Sequence, residues 1–118
     1  MQIQIIIGDT VLLATPESNP SADAFLALLQ KQKLTVKMSD YAGMEKVGPL
    51  GTHLIRSDRP IRVGAGDVVL YQGNQITIYY GTNEWNFTKL AHIDGVTKEK
   101  MLEVLGRGNV EVEFSLVL

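Results

Sequence analysis

The strongest constraint on the fold is an alternation of apolar and polar side chains that recurs with a period of two. Near the N-terminus, Ile3, Ile5 and Ile7 would point to one side of a strand, and their neighbours to the other. Near the C-terminus the pattern is clearest, with inward positions predicted at Val110, Val112, Phe114, Leu116 and Leu118. Both ends of the chain are therefore predicted to be half-buried strands.

Turn signals join such strands into hairpins. Gly8-Asp9 predicts a two-residue loop, and Gln72-Gly73-Asn74 predicts a three-residue loop. Further strands are expected at 10–15, 34–39, 67–71, 75–80 and 87–93. The glycine- and proline-containing segment 41–65 is expected to be a long loop with short strands at 45–47 and 53–55.

Two helices interrupt the strands. Asn19-Pro20 has the form of an N-cap followed by proline in the first turn, and apolar residues follow at helical spacing, predicting an amphipathic helix over 20–31. Thr97 is expected to cap a shorter helix over 97–105, with Gly106 just beyond its end.

The predicted fold class is mostly β, with about eight strands in hairpin succession. The predicted strands do not alternate with helices, so a parallel sheet is not expected. A closed β-barrel is predicted instead, because closure of the sheet leaves no exposed strand edges. With 118 residues, the chain is expected to form a single domain over 1–118.

Charge and cysteine content narrow the classes of function. The net charge of −2 gives no reason to expect nucleic acid or a membrane as a partner. The absence of cysteine and the presence of only two histidines argue against thiol chemistry and a dedicated metal site, and no cofactor is predicted. Without a secretory signal or a long apolar segment, the expected location is cytoplasmic. The oligomeric state stays open.

Three landmarks along the chain carry a family resemblance. The first is IIIGDTVLLAT at 5–15 followed by Asn19-Pro20, and the second is DYAGMEK at 40–46. The third comprises GDVVLY at 66–71, ITIYYG at 76–81 and KLAHI at 89–93. Together they resemble the small bacterial cyclophilin-like proteins, which implies a cyclophilin-type β-barrel fold but no particular activity.

The resemblance does not carry over a catalytic residue. True cyclophilins are prolyl isomerases in which a groove arginine, flanked by phenylalanines and a glutamine, lies ahead of a Gln-Gly-Gly-Asp motif. Here Tyr71-Gln72-Gly73-Asn74 has the form of a hairpin turn and lacks the second glycine and the aspartate. A non-enzymatic domain is therefore the favoured interpretation.

Two loop segments contain candidate binding residues. Tyr41 and Glu45 place a phenol beside a carboxylate, which could bind a cation, an amine or a peptide N–H. In a structural alternative, Tyr41 packs over the barrel mouth, and Glu45 caps loop amides or pairs with Lys46. Arg56 stands in an arginine-rich segment that could bind an anion; the alternative is a solvated loop in which Asp58 neutralises part of the charge.

A third candidate group is aromatic, and it comprises Tyr71, Tyr79, Tyr80, Trp85 and Phe87. Tyr79 and Tyr80 must face opposite sides of their strand. Trp85 is expected in a polar loop, where it could stack on a ligand or plug one end of the barrel.

The resulting hypothesis is a domain that binds a small molecule or peptide at the barrel mouth. Its candidate binding residues are Tyr41, Glu45, Arg56, Tyr71, Tyr80 and Trp85. The alternatives are a prolyl isomerase with a non-standard active site, and a protein-interaction or assembly module that uses an exposed sheet face.

Overall fold

A computed structural model describes residues 1–117 of the chain. It contains nine strands and two helices within that range. In chain order they are β1 (Gln2–Ile7), β2 (Thr10–Pro16), α1 (Pro20–Lys31), β3 (Leu34–Tyr41), β4 (Glu45–Pro49), β5 (Arg59–Val63), β6 (Asp67–Tyr71), β7 (Gln75–Tyr79), β8 (Asn83–Ile93), α2 (Lys98–Leu105) and β9 (Val110–Val117).

Eight of these strands form a closed ring, which confirms the predicted mostly-β fold of about eight strands. Neighbours in the sheet follow the order β2-β1-β9-β3-β4-β7-β6-β8, and a further pairing of β2 with β8 closes the circle. Every pairing between described strands is antiparallel. The ninth strand, β5, lies outside the ring and pairs with β8.

The main core fills the interior of the ring. Ile3, Ile5, Val112 and Phe114 are buried there, as the alternation predicts. Leu118, the last predicted inward position, lies outside the described residues. Helix α1 packs against β8 and β9, and the ring of Phe25 meets that of Phe114 edge to face at 5.9 Å. Burial of this apolar set is the main stabilising contribution to the fold.

Helix α1 has the predicted limits, and α2 begins one residue later than predicted, at Lys98, because Thr97 is its N-cap. The Asn19 side chain accepts a hydrogen bond from the backbone N–H of Ala22 at 2.7 Å, and Thr97 accepts one from Lys100 at 3.1 Å. Gly106 ends α2 with a φ of 67°, in the left-handed region that favours glycine. Neither helix is long and apolar enough to cross a membrane.

Strand β8 has two parts with different partners. Residues 88–93 belong to the ring and pair with β6 and β2, whereas 83–87 pair with β5. We call β5 together with residues 83–87 the arm. The arm packs on the outer face of the ring, where a second small core is buried; its members are Val63, Val69, Tyr79 and Phe87.

Two predictions for the segments in and before the arm are wrong. Residues 53–55 are not a strand, because they pair with none of the described strands; the Leu54 N–H donates instead to the carbonyl of Gly73 at 2.8 Å. The short strand of this region is β5 instead. Trp85 is not in a loop, since β8 begins at Asn83 and Trp85 pairs with Ile61 across the arm.

Candidate ligand-binding cleft

A cleft of about 340 Å³ opens between the arm and the outer face of the ring. Its floor consists of alternate residues on two neighbouring strands, which therefore project to the same side of the sheet. Glu45 on β4 pairs with Tyr79 on β7, and Val47 pairs with Thr77. These four side chains and Gln75 line the floor.

Aromatic side chains form the walls. Trp85 projects from the arm, Tyr41 from the end of β3 and Tyr71 from the end of β6. They are 67%, 59% and 38% exposed, respectively, although each has a large apolar surface. Phe87 and Asn83 from the arm complete that side of the cleft. The cleft thus combines a polar floor with aromatic walls that face water.

A close backbone contact fixes the wall that carries Tyr41. The carbonyl of Met44 accepts hydrogen bonds from the N–H groups of Tyr80 and Gly81, at 3.0 and 2.9 Å. A Cβ at position 81 would lie only 2.9 Å from the Cβ of Met44, so this approach requires glycine. The β3–β4 turn is therefore held against the end of β7.

Glu45 is the ionisable group of the floor. Its residue is only 8% exposed, and among residues 1–117 no lysine, arginine or histidine forms a salt bridge with it. Burial raises the pKa of the Glu45 carboxyl, and a hydrogen bond from the Tyr79 hydroxyl opposes that rise. Burial and the same carboxylate raise the pKa of Tyr79, so its hydroxyl stays protonated and can donate.

Lys46 faces the opposite side of β4 from Glu45, which corrects the predicted alternative in which the two side chains pair. Lys46 is fully buried, and its Nζ donates to the carbonyl of Gly108 at 2.6 Å and lies 3.3 Å from Asp40 Oδ1. The Tyr80 hydroxyl donates to the same Asp40 oxygen. We call Lys46, Asp40 and Tyr80 the Lys46 cluster.

Contacts within the Lys46 cluster shift two further pKa values, those of Asp40 and Tyr80. The hydrogen bond from Tyr80 and the proximity of Lys46 hold the pKa of Asp40 below its usual range, although burial opposes them. Burial and the bond to Asp40 raise the pKa of Tyr80 to about 12. Tyr80 is thus a structural partner of Asp40 and does not line the cleft.

Arg56 lines a neighbouring cleft of about 320 Å³ that shares Tyr71 and Trp85 with the first. Its guanidinium contacts Asp58 Oδ2 through Nε at 2.9 Å and Nη2 at 2.5 Å. The other oxygen of Asp58 accepts from the Thr88 hydroxyl. The charge of Arg56 is therefore already paired within its own segment.

The structure brings four of the six sequence candidates together and leaves two apart. Tyr41, Glu45, Tyr71 and Trp85 line one cleft, whereas Arg56 lies in the adjoining one and Tyr80 is in the ring interior. This cleft lies on the outer face of the ring and not at the barrel mouth, where the site was predicted. Two further lining residues, Tyr79 and Phe87, belong to the aromatic group identified from the sequence but were not among the six candidates. The sequence did not point to the remaining lining residues, which are Met44, Val47, Gln75, Thr77 and Asn83. The sequence does indicate that Tyr79 faces outward, since it alternates with Ile76 and Ile78, whose apolar side chains mark the inner face of the strand.

A further group of ionisable side chains lies on β6 and β8. Asp67 Oδ1 is 2.7 Å from His92 Nδ1 and 3.0 Å from Lys89 Nζ, while Oδ2 accepts from the N–H of Gly64. Within residues 1–117, no set of three or more histidine, aspartate or glutamate side chains is arranged to hold a metal ion.

The family model of the cyclophilin-like family matches residues 5–115 of the chain. Because the match spans nearly the whole sequence, the chain belongs to the cyclophilin-like family. No curated protein and no solved structure matches it significantly.

Proposed function

We propose that this cyclophilin-like domain is a non-enzymatic binding domain that takes a small molecule or a peptide segment into the cleft beneath the arm. The observation that carries the proposal is the distribution of aromatic side chains. The chain has three phenylalanines, four tyrosines and one tryptophan. Five of these eight line the cleft, and the other three lie in the main core.

The exposure of the wall residues supports binding. Tyr41, Tyr71 and Trp85 are the aromatic side chains most open to water in the described chain, and all three surround one concavity. Exposed aromatic surface costs free energy in water, which a ligand that stacks on it would recover. The cleft volume is at the lower end of the range for small-molecule sites, about 300–1,000 Å³.

The charge distribution favours binding over prolyl isomerisation. An isomerase of the cyclophilin type would need an arginine that donates to the proline amide. The described residues that line the cleft include no arginine, and Arg56, the candidate from the sequence, lies in the adjoining cleft and is paired with Asp58. A peptide isomerisation assay should therefore show only the uncatalysed rate, with a time constant of tens to hundreds of seconds.

The proposal is tested by ligand screening on the unmodified domain and on Trp85→Ala. Trp85 is the only tryptophan, so a ligand that enters the cleft should change the intrinsic fluorescence directly. Each hit is then checked by thermal shift on Trp85→Ala and on a matched control, Leu102→Ala, which removes an exposed apolar side chain from α2. The proposal fails if the hits stabilise Trp85→Ala as strongly as they stabilise the unmodified domain.

A further inference from the structure

The floor of the cleft contains a carboxylate without a cation. Glu45 is almost fully buried, and the described residues that line the cleft include no lysine, arginine or histidine. The adjacent lysine, Lys46, points into the ring and is bound to Asp40 and Gly108. Burial of an ionised carboxylate is costly unless a positive partner compensates it.

The aromatic side chains of the cleft also attract positive charge, through the faces of their rings. Tyr41, Tyr71 and Trp85 surround the entrance, and Tyr79 lies beside Glu45 on the floor. The faces of such rings attract an ammonium or guanidinium group within about 6 Å. Carboxylate and aromatic faces together therefore favour a positively charged group at the centre of the cleft.

A metal ion does not suit this donor set. Calcium takes about six to eight oxygen ligands, and magnesium requires a nearly octahedral oxygen shell. The cleft offers one carboxylate, and no metal-binding group of acidic or histidine side chains is present in residues 1–117. An organic cation needs no such shell, since one carboxylate neutralises it and the rings cover its alkyl surface.

We propose that the cleft selects an organic cation, an alkylammonium or guanidinium group attached to an apolar body, with Glu45 as its counter-ion. This inference depends on the proposed function, since it names the chemical class of the ligand for the same cleft. The cation is carried either by a free amine or by a lysine or arginine side chain of a peptide.

The test compares ligands of one shape and different charge. Phenylbutylamine, phenylbutanol and phenylbutyrate are titrated against the domain with Trp85 fluorescence as the readout, and amide chemical shifts confirm the site. The amine should bind about tenfold more tightly than the alcohol, and the acid should bind most weakly. A short peptide containing lysine, compared with its norleucine counterpart, distinguishes a side-chain ligand from a free amine.

Glu45→Gln provides the decisive variant, because it keeps the shape of the side chain and removes the charge. The preference for the amine over the alcohol should fall to nearly equal binding. Glu84→Gln is the matched control, since Glu84 is exposed on the arm at a position that does not line the cleft, and it should keep the preference. The amide spectrum of each variant shows whether it is folded.

The possible failures are distinguishable. If the alcohol binds as tightly as the amine, or if Glu45→Gln keeps the preference, the cation selection is wrong while the binding function stands. If none of the probes and none of the screened compounds perturbs the cleft, the proposed function itself fails.

Discussion

Replacement of Lys46 by methionine should destabilise the domain and loosen the wall of the cleft that carries Tyr41. Lys46 is fully buried and binds Asp40, the residue directly before Tyr41. Methionine keeps most of the apolar stem and removes the ammonium group. The variant therefore isolates the contribution of the two polar contacts made by Nζ.

The structure limits the size of this effect. A hydrogen bond to a charged group contributes about 1.5–3 kcal/mol, and removal of one partner of a fully buried ion pair costs about 3–5 kcal/mol. The Asp40 side chain is 37% exposed and keeps its bond from Tyr80, so water replaces part of the lost interaction. We expect a loss of about 2 kcal/mol in the free energy of unfolding, below the range for a fully buried pair. With an unfolding entropy of about 2.1 cal/mol/K per residue, this corresponds to a decrease in Tm of about 8 °C for a chain of this length.

Urea denaturation at neutral pH, followed by Trp85 fluorescence, measures the loss, and calorimetry measures Tm. Lys89→Met is the matched control, because Lys89 also forms an ion pair, with Asp67 at 3.0 Å, but is partly exposed. That change should cost less than about 1 kcal/mol. If Lys46→Met is no less stable than Lys89→Met, the buried ammonium group does not hold the strand ends together, and the reasoning is refuted.

Three further variants test the cleft. Gly81→Ala should cost about 1–3 kcal/mol and shift the amide resonances of the β3–β4 turn, because the new Cβ meets Met44; Gly64→Ala, whose Cβ meets only a methyl group at 3.9 Å, should have little effect in the same urea denaturation. Phe87→Ala should cost about 3 kcal/mol and speed hydrogen exchange in the arm, and unchanged exchange would contradict the packing described. The third concerns pH: a carboxyl with a raised pKa in the folded state stabilises the fold below its unfolded pKa and loses that contribution as the pH rises through the folded pKa. The difference in unfolding free energy between the unmodified domain and Glu45→Gln should therefore shift in favour of the unmodified domain between neutral pH and about pH 4, and a constant difference would contradict it.

The sequence predicts those parts of the fold that depend on local chemistry. Helix α1 begins where predicted, because Asn19 and Pro20 determine its first turn, and it ends at Lys31 as predicted. The hairpin at Gly8-Asp9 is likewise confirmed by the pairing of Ile7 with Thr10. These features depend on a few neighbouring residues, so the sequence contains all the information that they require.

The arm depends on distant contacts, and the sequence predicts it poorly. One face of the arm is open to water, so the sequence around Trp85 contains few apolar residues. Such a composition is typical of a loop, and the sequence therefore predicts a loop at Trp85. Ile61 and Val63 alternate with Pro60 and Arg62, and this alternation is the sequence signal for strand β5. Only the tertiary structure shows that they pair with Trp85 and Asn83.

The candidate binding residues also divide into those predicted from local sequence and those that depend on distant contacts. Proximity along the chain correctly groups Tyr41 with Glu45, since both belong to one hairpin. The choice of Tyr80 instead of Tyr79 depends on which face of β7 points inward. The sequence shows that the two tyrosines alternate and that Tyr80 shares its face with the apolar Ile76 and Ile78. That the opposite face meets the arm is shown only by the tertiary structure.

The position of β9 has a consequence for how the chain becomes folded during its synthesis. This strand is inserted between β1 and β3, pairing Phe114 with Ile5 on one side and with Leu34 on the other. Until residues 110–117 have left the ribosome, β1 and β3 both present unpaired edges and the apolar interior is open. Open edges of this kind favour association with other chains. Closure of the ring therefore waits for β9, and the nascent domain depends on this strand for protection against aggregation.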